Sequence, residues 1–177
     1  MITYITLFRS INVGGNNILP MKGLVKILEG LGCKNIKTYI QSGNVVFQFK
    51  KESQTKIAEQ ISLEVLELFQ FKPEVFLLES ADLQEAIKNN PFEVKNGKDL
   101  HFYFLESHPV APDLKSLEAI KTNTEEFKLG KKVFYFYAPD GIGRSKLASK
   151  VQRSLKVQTT ARNWNTVSKL IEMVSQS

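Results

Sequence analysis

The chain has 177 residues and a mass of 20.1 kDa, with 42% apolar, 24% charged and 10% aromatic residues. These values sit near the averages for globular domains and exclude a disordered, collagen-like or coiled-coil chain. Its apolar runs are too short for a transmembrane helix, the opening MITYITLFRS has no basic segment leading into an apolar stretch of about 7 to 15 residues, and its one cysteine, Cys33, cannot form an internal disulfide, so a cytoplasmic protein is expected.

The net charge of +6 is unevenly spread: residues 121–177 hold 11 basic and 4 acidic side chains, a balance of +7, while residues 1–120 balance at −1. A basic excess confined to one part of a chain raises the local potential and favours anionic partners, although a solvated surface explains it equally.

In chain order, the β-branched and aromatic run Ile2 to Arg9 predicts a strand, and the loop SINVGGNNIL follows. Pro20 suits a first helical turn, and Met21, Leu24, Val25, Leu28 and Leu31 keep helical spacing until Gly32. Ile36 to Ile40 and Asn44 to Phe49 read as a hairpin joined through Gln41-Ser42-Gly43. Ser53 is expected to cap a second helix with Ile57, Ile61, Val65, Leu66 and Leu68 on its apolar side, and Pro73 begins a strand over Glu74 to Leu78. Strand, helix, strand, strand, helix, strand is the order of the ferredoxin-like split βαβ unit, assigned here to residues 1–79.

Residues 80–177 read as a second α+β unit in the same order. After a connecting helix from Ser80 to about Asn89 come a strand (Leu100 to Leu105), a helix (Asp113 to Lys121) and a hairpin (Glu126 to Leu129, Val133 to Ala138). A helix (Arg144 to Lys156) and a short strand (Val157 to Thr160) complete the set, and a C-terminal helix, Asn163 to Val174, is left over. The reading as a pseudo-repeat rests on element order alone, and two unrelated α+β subdomains are the alternative. In this scheme the first and third strands of each unit are expected to be a parallel central pair.

Four segments have residue types suited to binding. Arg9, Asn12, Gly14 and Gly15 belong to a strand end that enters a Gly-Gly loop before a helix, which suits a phosphate or carboxylate. The loop matches neither GxGxxG nor the P-loop pattern, and a plain turn is the alternative. Gln41, Ser42 and Asn44 form the hairpin connection, where Gly and Asn tolerate positive φ, and their amides can also meet a ligand. In the segment Pro139 to Leu147, Arg144 and Lys146 stand in a first helical turn, where cations oppose the macrodipole unless an anion binds between them. Lys146, Lys150, Arg153 and Lys156 then fall on one side of that helix, with Leu147, Val151 and Leu155 on another. In Thr159 to Thr166, Arg162, Asn163 and Asn165 surround the single tryptophan, Trp164, a set that can hold a nucleotide or planar anion, or can simply cap and pack a helix.

The strings RSINVGGNNILPM, TYIQSGNVVF, GRSKL and TARNWNTV resemble, nearly word for word, the signature segments of the bacterial family known as domain of unknown function 1697. The resemblance extends over the whole chain. It implies an α+β bacterial cytosolic protein with no established activity, cofactor or catalytic residue, and it implies that Arg9, Asn12, Gly14, Gly15, Gln41, Ser42, Asn44, Lys146, Arg162, Asn163 and Asn165 matter together.

His101 and His108 have no Cys, Asp or Glu at metal-ligand spacing, so no metal is expected, and the motif strings contain no carboxylate or histidine for general acid-base chemistry. No cofactor is implied. The expected function is binding of an anionic partner, either nucleic acid or a phosphorylated small molecule, with no membrane involvement. Two other classes stay open: an enzyme acting on a nucleotide or phosphorylated substrate, and a homo-oligomer built on an exposed apolar stripe (Val167, Leu170, Ile171, Val174) of the C-terminal helix. If the two parallel pairs put their loops together, Arg9 and Asn12 would face Lys146 across a cleft, with Arg162 and Asn165, just beyond the last strand, closing it.

Overall fold

The computed structural model describes residues 1–176. The chain is α+β and divides into two compact units, Met1–Glu85 together with the C-terminal stretch from Lys169, and Ala86–Ser168.

In the first unit the elements are β1 (Ile2–Arg9), α1 (Met21–Gly30), β2 (Lys34–Tyr39), β3 (Asn44–Phe49), α2 (Gln54–Phe69) and β4 (Glu74–Glu79). The sheet order is β2-β3-β1-β4, and every neighbouring pair is antiparallel. β1 pairs antiparallel with β3, Ile5 opposite Val46, so the expected parallel central pair is wrong. The β2–β3 hairpin reverses the chain, and the third strand must therefore run against the first. Tyr4 and Phe8 of β1 and Val45, Phe47 and Phe49 of β3 pack with Leu24 and Leu28 of α1 and Ile57, Ile61 and Val65 of α2. Most of these are fully buried, each contributing about 1.5–3 kcal/mol relative to exposure.

The second unit follows a connecting helix, α3 (Ser80–Lys88), whose start is held by Asp82, which accepts from Glu79 N at 2.9 Å. It comprises β5 (Leu100–Leu105), α4 (Leu114–Ile120), β6 (Glu126–Leu129), β7 (Val133–Tyr137), α5 (Val151–Leu155) and β8 (Thr159–Asn163), with order β6-β7-β5-β8, again all antiparallel. Strand for strand this is the first unit's topology. The two units are therefore a repeat of arrangement. Tyr103, Phe134 and Phe136 pack on Leu117 of α4 and on Leu147, Val151 and Leu155. α6 (Trp164–Ser175) closes the chain.

Three expectations are corrected. The helix over Arg144 to Lys156 is broken into 3-10 turns at Ile142–Arg144 and Ala148–Lys150 and the five-residue α5. Ser145 is extended (φ −76°, ψ 120°), and its Oγ accepts from Ala148 N at 3.0 Å, restarting the chain instead of continuing a helix. The last strand is Thr159–Asn163 and not Val157 to Thr160, because Lys156 caps α5 at φ 59° and Gln152 Oε1 holds Thr159 N at 3.1 Å. Arg162 is thus inside β8. β2 ends before Ile40, whose φ is 50°.

Candidate functional site

Two motif segments meet at one end of the first unit. Asn12 is the joint: its Nδ2 donates to Leu19 O at 2.9 Å and to Gln41 O at 2.7 Å, while its Oδ1 accepts from Leu19 N at 2.8 Å. The amide's capacity is nearly spent on the fold. Gly14 (φ 58°) and Gly15 (φ 77°) are the centre of a tight turn closed by Asn16 N on Val13 O at 3.0 Å. Two positive φ values at the centre of a two-residue hairpin loop mark a type I′ turn, which glycine adopts with the least strain, so the Gly-Gly pair shapes an exposed hairpin tip.

The β2–β3 connection is knitted in the same way. Asn44 is buried and its Nδ2 donates to Ser42 Oγ at 2.8 Å. Gly43, at φ 71°, accepts Phe8 N at 3.2 Å, and a Cβ there would stand 2.6 Å from Phe8 Cβ and 2.7 Å from Ile11 Cδ1. Arg9 pairs with Glu74 at 2.9 Å on the neighbouring strand.

The other two motif segments both belong to the second unit. β7 and β8 both run antiparallel to β5, so the loop after β7 and the start of α6 after β8 leave the sheet at the same end. Asn163 is the cap of α6, its Oδ1 accepting from Thr166 N at 3.1 Å. Trp164 lies 5.9 Å from Phe102, ring to ring, so it packs internally. Asn165 lies so close to Gly97 that a Cβ there would overlap Asn165 Oδ1. Arg162 donates to Thr160 Oγ1 at 3.0 Å and Ala161 O at 2.8 Å, and burial pulls its pKa down to about 10. Within either unit the first and third strands are antiparallel, so their outgoing loops lie at opposite ends, and the reasoning that set Arg9 and Asn12 opposite Lys146 loses its premise.

Next to Asn163 in register stands His101, buried in β5, with a buried Nε2 that has no hydrogen-bond partner. Burial lowers its pKa from 6.5, opposed by a hydrogen bond to the Lys98 backbone and by the charge of Asp99. Burial also pushes the Cys33 thiol up to about 11, which leaves it a packing residue. Among the described residues no group of three or more His, Cys, Asp or Glu is placed to hold a metal ion, and no helix is long and apolar enough to cross a membrane.

Arg144, Lys146, Lys150, Arg153 and Lys156 are all exposed, on the far side of the segment from the buried Leu147, Val151 and Leu155. Among the described residues none of the five is in an ion pair, whereas Arg9, Lys56, Lys72, Lys121 and Lys169 each hold a glutamate. Beside Arg153 and Lys156 lies an open groove of about 420 Å³, bordered also by Glu106, Ser107, Gln152 and Gln158. Sequence reasoning missed Glu106, Ser107 and Gln158. Their only signal was polarity directly after an apolar strand and directly before β8. The stripe Val167, Leu170, Ile171, Val174 on α6 is not exposed: Val167 and Leu170 are fully buried and the other two half-buried, which removes the observation behind the homo-oligomer reading.

Residues 1–135 match the sequence family described as protein of unknown function (DUF1697). Among solved structures, the conserved bacterial protein SP0830 from Streptococcus pneumoniae is similar over 98% of each chain, with a TM-score of 0.78 and 24% identity, a likeness of fold. A comparison with curated proteins returns no match.

Proposed function

We propose that this chain, which belongs to the DUF1697 family of proteins of unknown function, binds nucleic acid through the phosphate backbone, using the basic side of its second unit. The observation that carries the reading is the succession of five exposed cations, Arg144, Lys146, Lys150, Arg153 and Lys156, none of them in an ion pair among the described residues. An exposed cation not already held in a close ion pair can neutralise a phosphate and release the counterions condensed on the nucleic acid. Cations strung along two 3-10 turns and a helix suit a row of phosphates better than a single one. The aromatic side chains of β5 and β7 are buried apart from Tyr137, which is half-buried beside Phe92, so the sheet offers no row of exposed rings for stacking, and sequence-independent backbone contact is the favoured mode.

The test is a titration of labelled single- and double-stranded oligonucleotides at rising KCl. Five phosphate contacts on a duplex give a slope of log K against log salt of about −4.5, and Lys146→Ala flattens it by about one. Absence of binding to either at low salt removes the reading. Binding of a small phosphorylated ligand alone, read by thermal shift, would replace it with the small-anion alternative.

A further inference from the structure

We propose that the groove between the end of β5 and α5 seats one guanine nucleotide, its phosphate on Arg153 and Lys156 and its base on Glu106. The inference rests on the nucleic-acid reading for the phosphate and goes beyond it for the base. The groove, about 420 Å³, is the size of a nucleotide-scale site. Its walls are held by the backbone. Glu106 N donates to Gln158 O at 3.0 Å, Lys156 N donates to Gln152 O at 2.9 Å, and the Gln152 side chain holds Thr159 N at 3.1 Å, which fixes the bend carrying Val157 and Gln158.

Glu106, Arg153 and Lys156 border this one groove with opposite charges, yet among the described residues none of them is in a close ion pair. Lys156 has a charged neighbour in Asp113, whose carboxyl is held below its usual range by hydrogen bonds from Ser116 first and by the charge of Lys156 after them. Such an arrangement complements a ligand that carries negative charge at one end and hydrogen-bond donors at the other. Among the four bases, guanine alone presents two adjacent donors, N1–H and the 2-amino group, on its Watson–Crick edge. A carboxylate accepts both at once. Adenine and cytosine place an acceptor next to their donor, and uracil flanks its one donor with two carbonyls, each of which would face the Glu106 oxygens unfavourably. Reading that edge requires an unpaired base, so the form recognised is single-stranded or free. The same chemistry is offered by a guanosine within a strand and by free 5′-GMP.

The full chain is titrated by anisotropy with a labelled uridine decamer and with the same decamer carrying one central guanosine, and by thermal shift with 5′-GMP and 5′-AMP. The guanosine decamer is expected to bind about tenfold more tightly. Glu106→Gln, an exposed substitution that leaves folding intact, should abolish that preference while the uridine decamer binds as before, and Arg153→Ala should weaken both decamers. Equal affinity for the two decamers, or a preference that survives Glu106→Gln, overturns the groove assignment and leaves backbone binding standing. Binding of neither decamer, with stabilisation by 5′-GMP and not 5′-AMP, overturns the polymer reading and keeps the groove. No response to any probe overturns both.

Discussion

The two pairs of motif segments use similar residues for different ends. In the first unit Asn12 and Asn44 turn their polar atoms onto backbone and neighbouring side chains, and Gly43 lets β1 and the hairpin touch. In the second unit Asn163 caps a helix and Arg162 is held by Thr160 and Ala161, but Arg144 and Lys146 reach outward. A polar motif residue is therefore not in itself a sign of a ligand. What separates the cases is whether its hydrogen-bonding capacity is already used.

The sharpest way to break this comparison is Gly43→Val. The new side chain would meet Phe8 and Ile11 and sit at φ 71°, so we expect a loss of about 3–4 kcal/mol or more and the largest fall in Tm of any substitution considered, read by calorimetry. A fall of only a degree or two would show that the two segments are not interlocked. Asn12→Ala removes three hydrogen bonds from a part-buried amide and leaves Leu19 N and two carbonyls seeking partners. A cost of about 2 kcal/mol in urea unfolding is expected, and a neutral result would return Asn12 to the list of ligand contacts.

His101 gives a pH arm in the second unit. Its folded pKa lies below 6.5, so as pH falls through 6.5 the unfolded chain takes up a proton before the folded one. Stability is present above that range and is lost as pH drops toward the folded value. His101→Phe should flatten this part of the pH profile of unfolding free energy, and an unchanged slope would refute the assignment. Smaller still, Gly15→Ala, at φ 77° with open space around it, should cost about 1 kcal/mol by denaturant melts. At the bottom of the scale, Lys146→Ala and Arg144→Ala should leave apo stability within about 0.5 kcal/mol while weakening oligonucleotide binding. Either one melting the apo protein by many degrees would make these cations structural.

Local pattern was enough to place β1, β3, β5 and α2, because alternation and helical spacing are properties of neighbouring residues, and the buried Phe47, Phe102, Ile57 and Ile61 all lay in those runs. It was enough, too, for the split βαβ order and for the basic excess after residue 120. Strand direction, by contrast, depends on how hairpins reverse the chain, and the central pair proved antiparallel. Where Ser145 bends back to cap Ala148, a three-residue contact overrode the helical spacing of Leu147, Val151 and Leu155 without moving them from the core. Whether an asparagine amide is spent or free, and which cations lack a carboxylate, depends on residues far away in the chain: Asn12 meets Gln41, and Arg9 meets Glu74 across β1 and β4. Local pattern located the buried runs of the strands and of α2, although Leu66 and Leu68 proved exposed and the apolar stripe of α6 covered. Only the tertiary structure decided which polar groups had anything left to offer, because pairing is settled by distances between residues that the chain brings together only on folding.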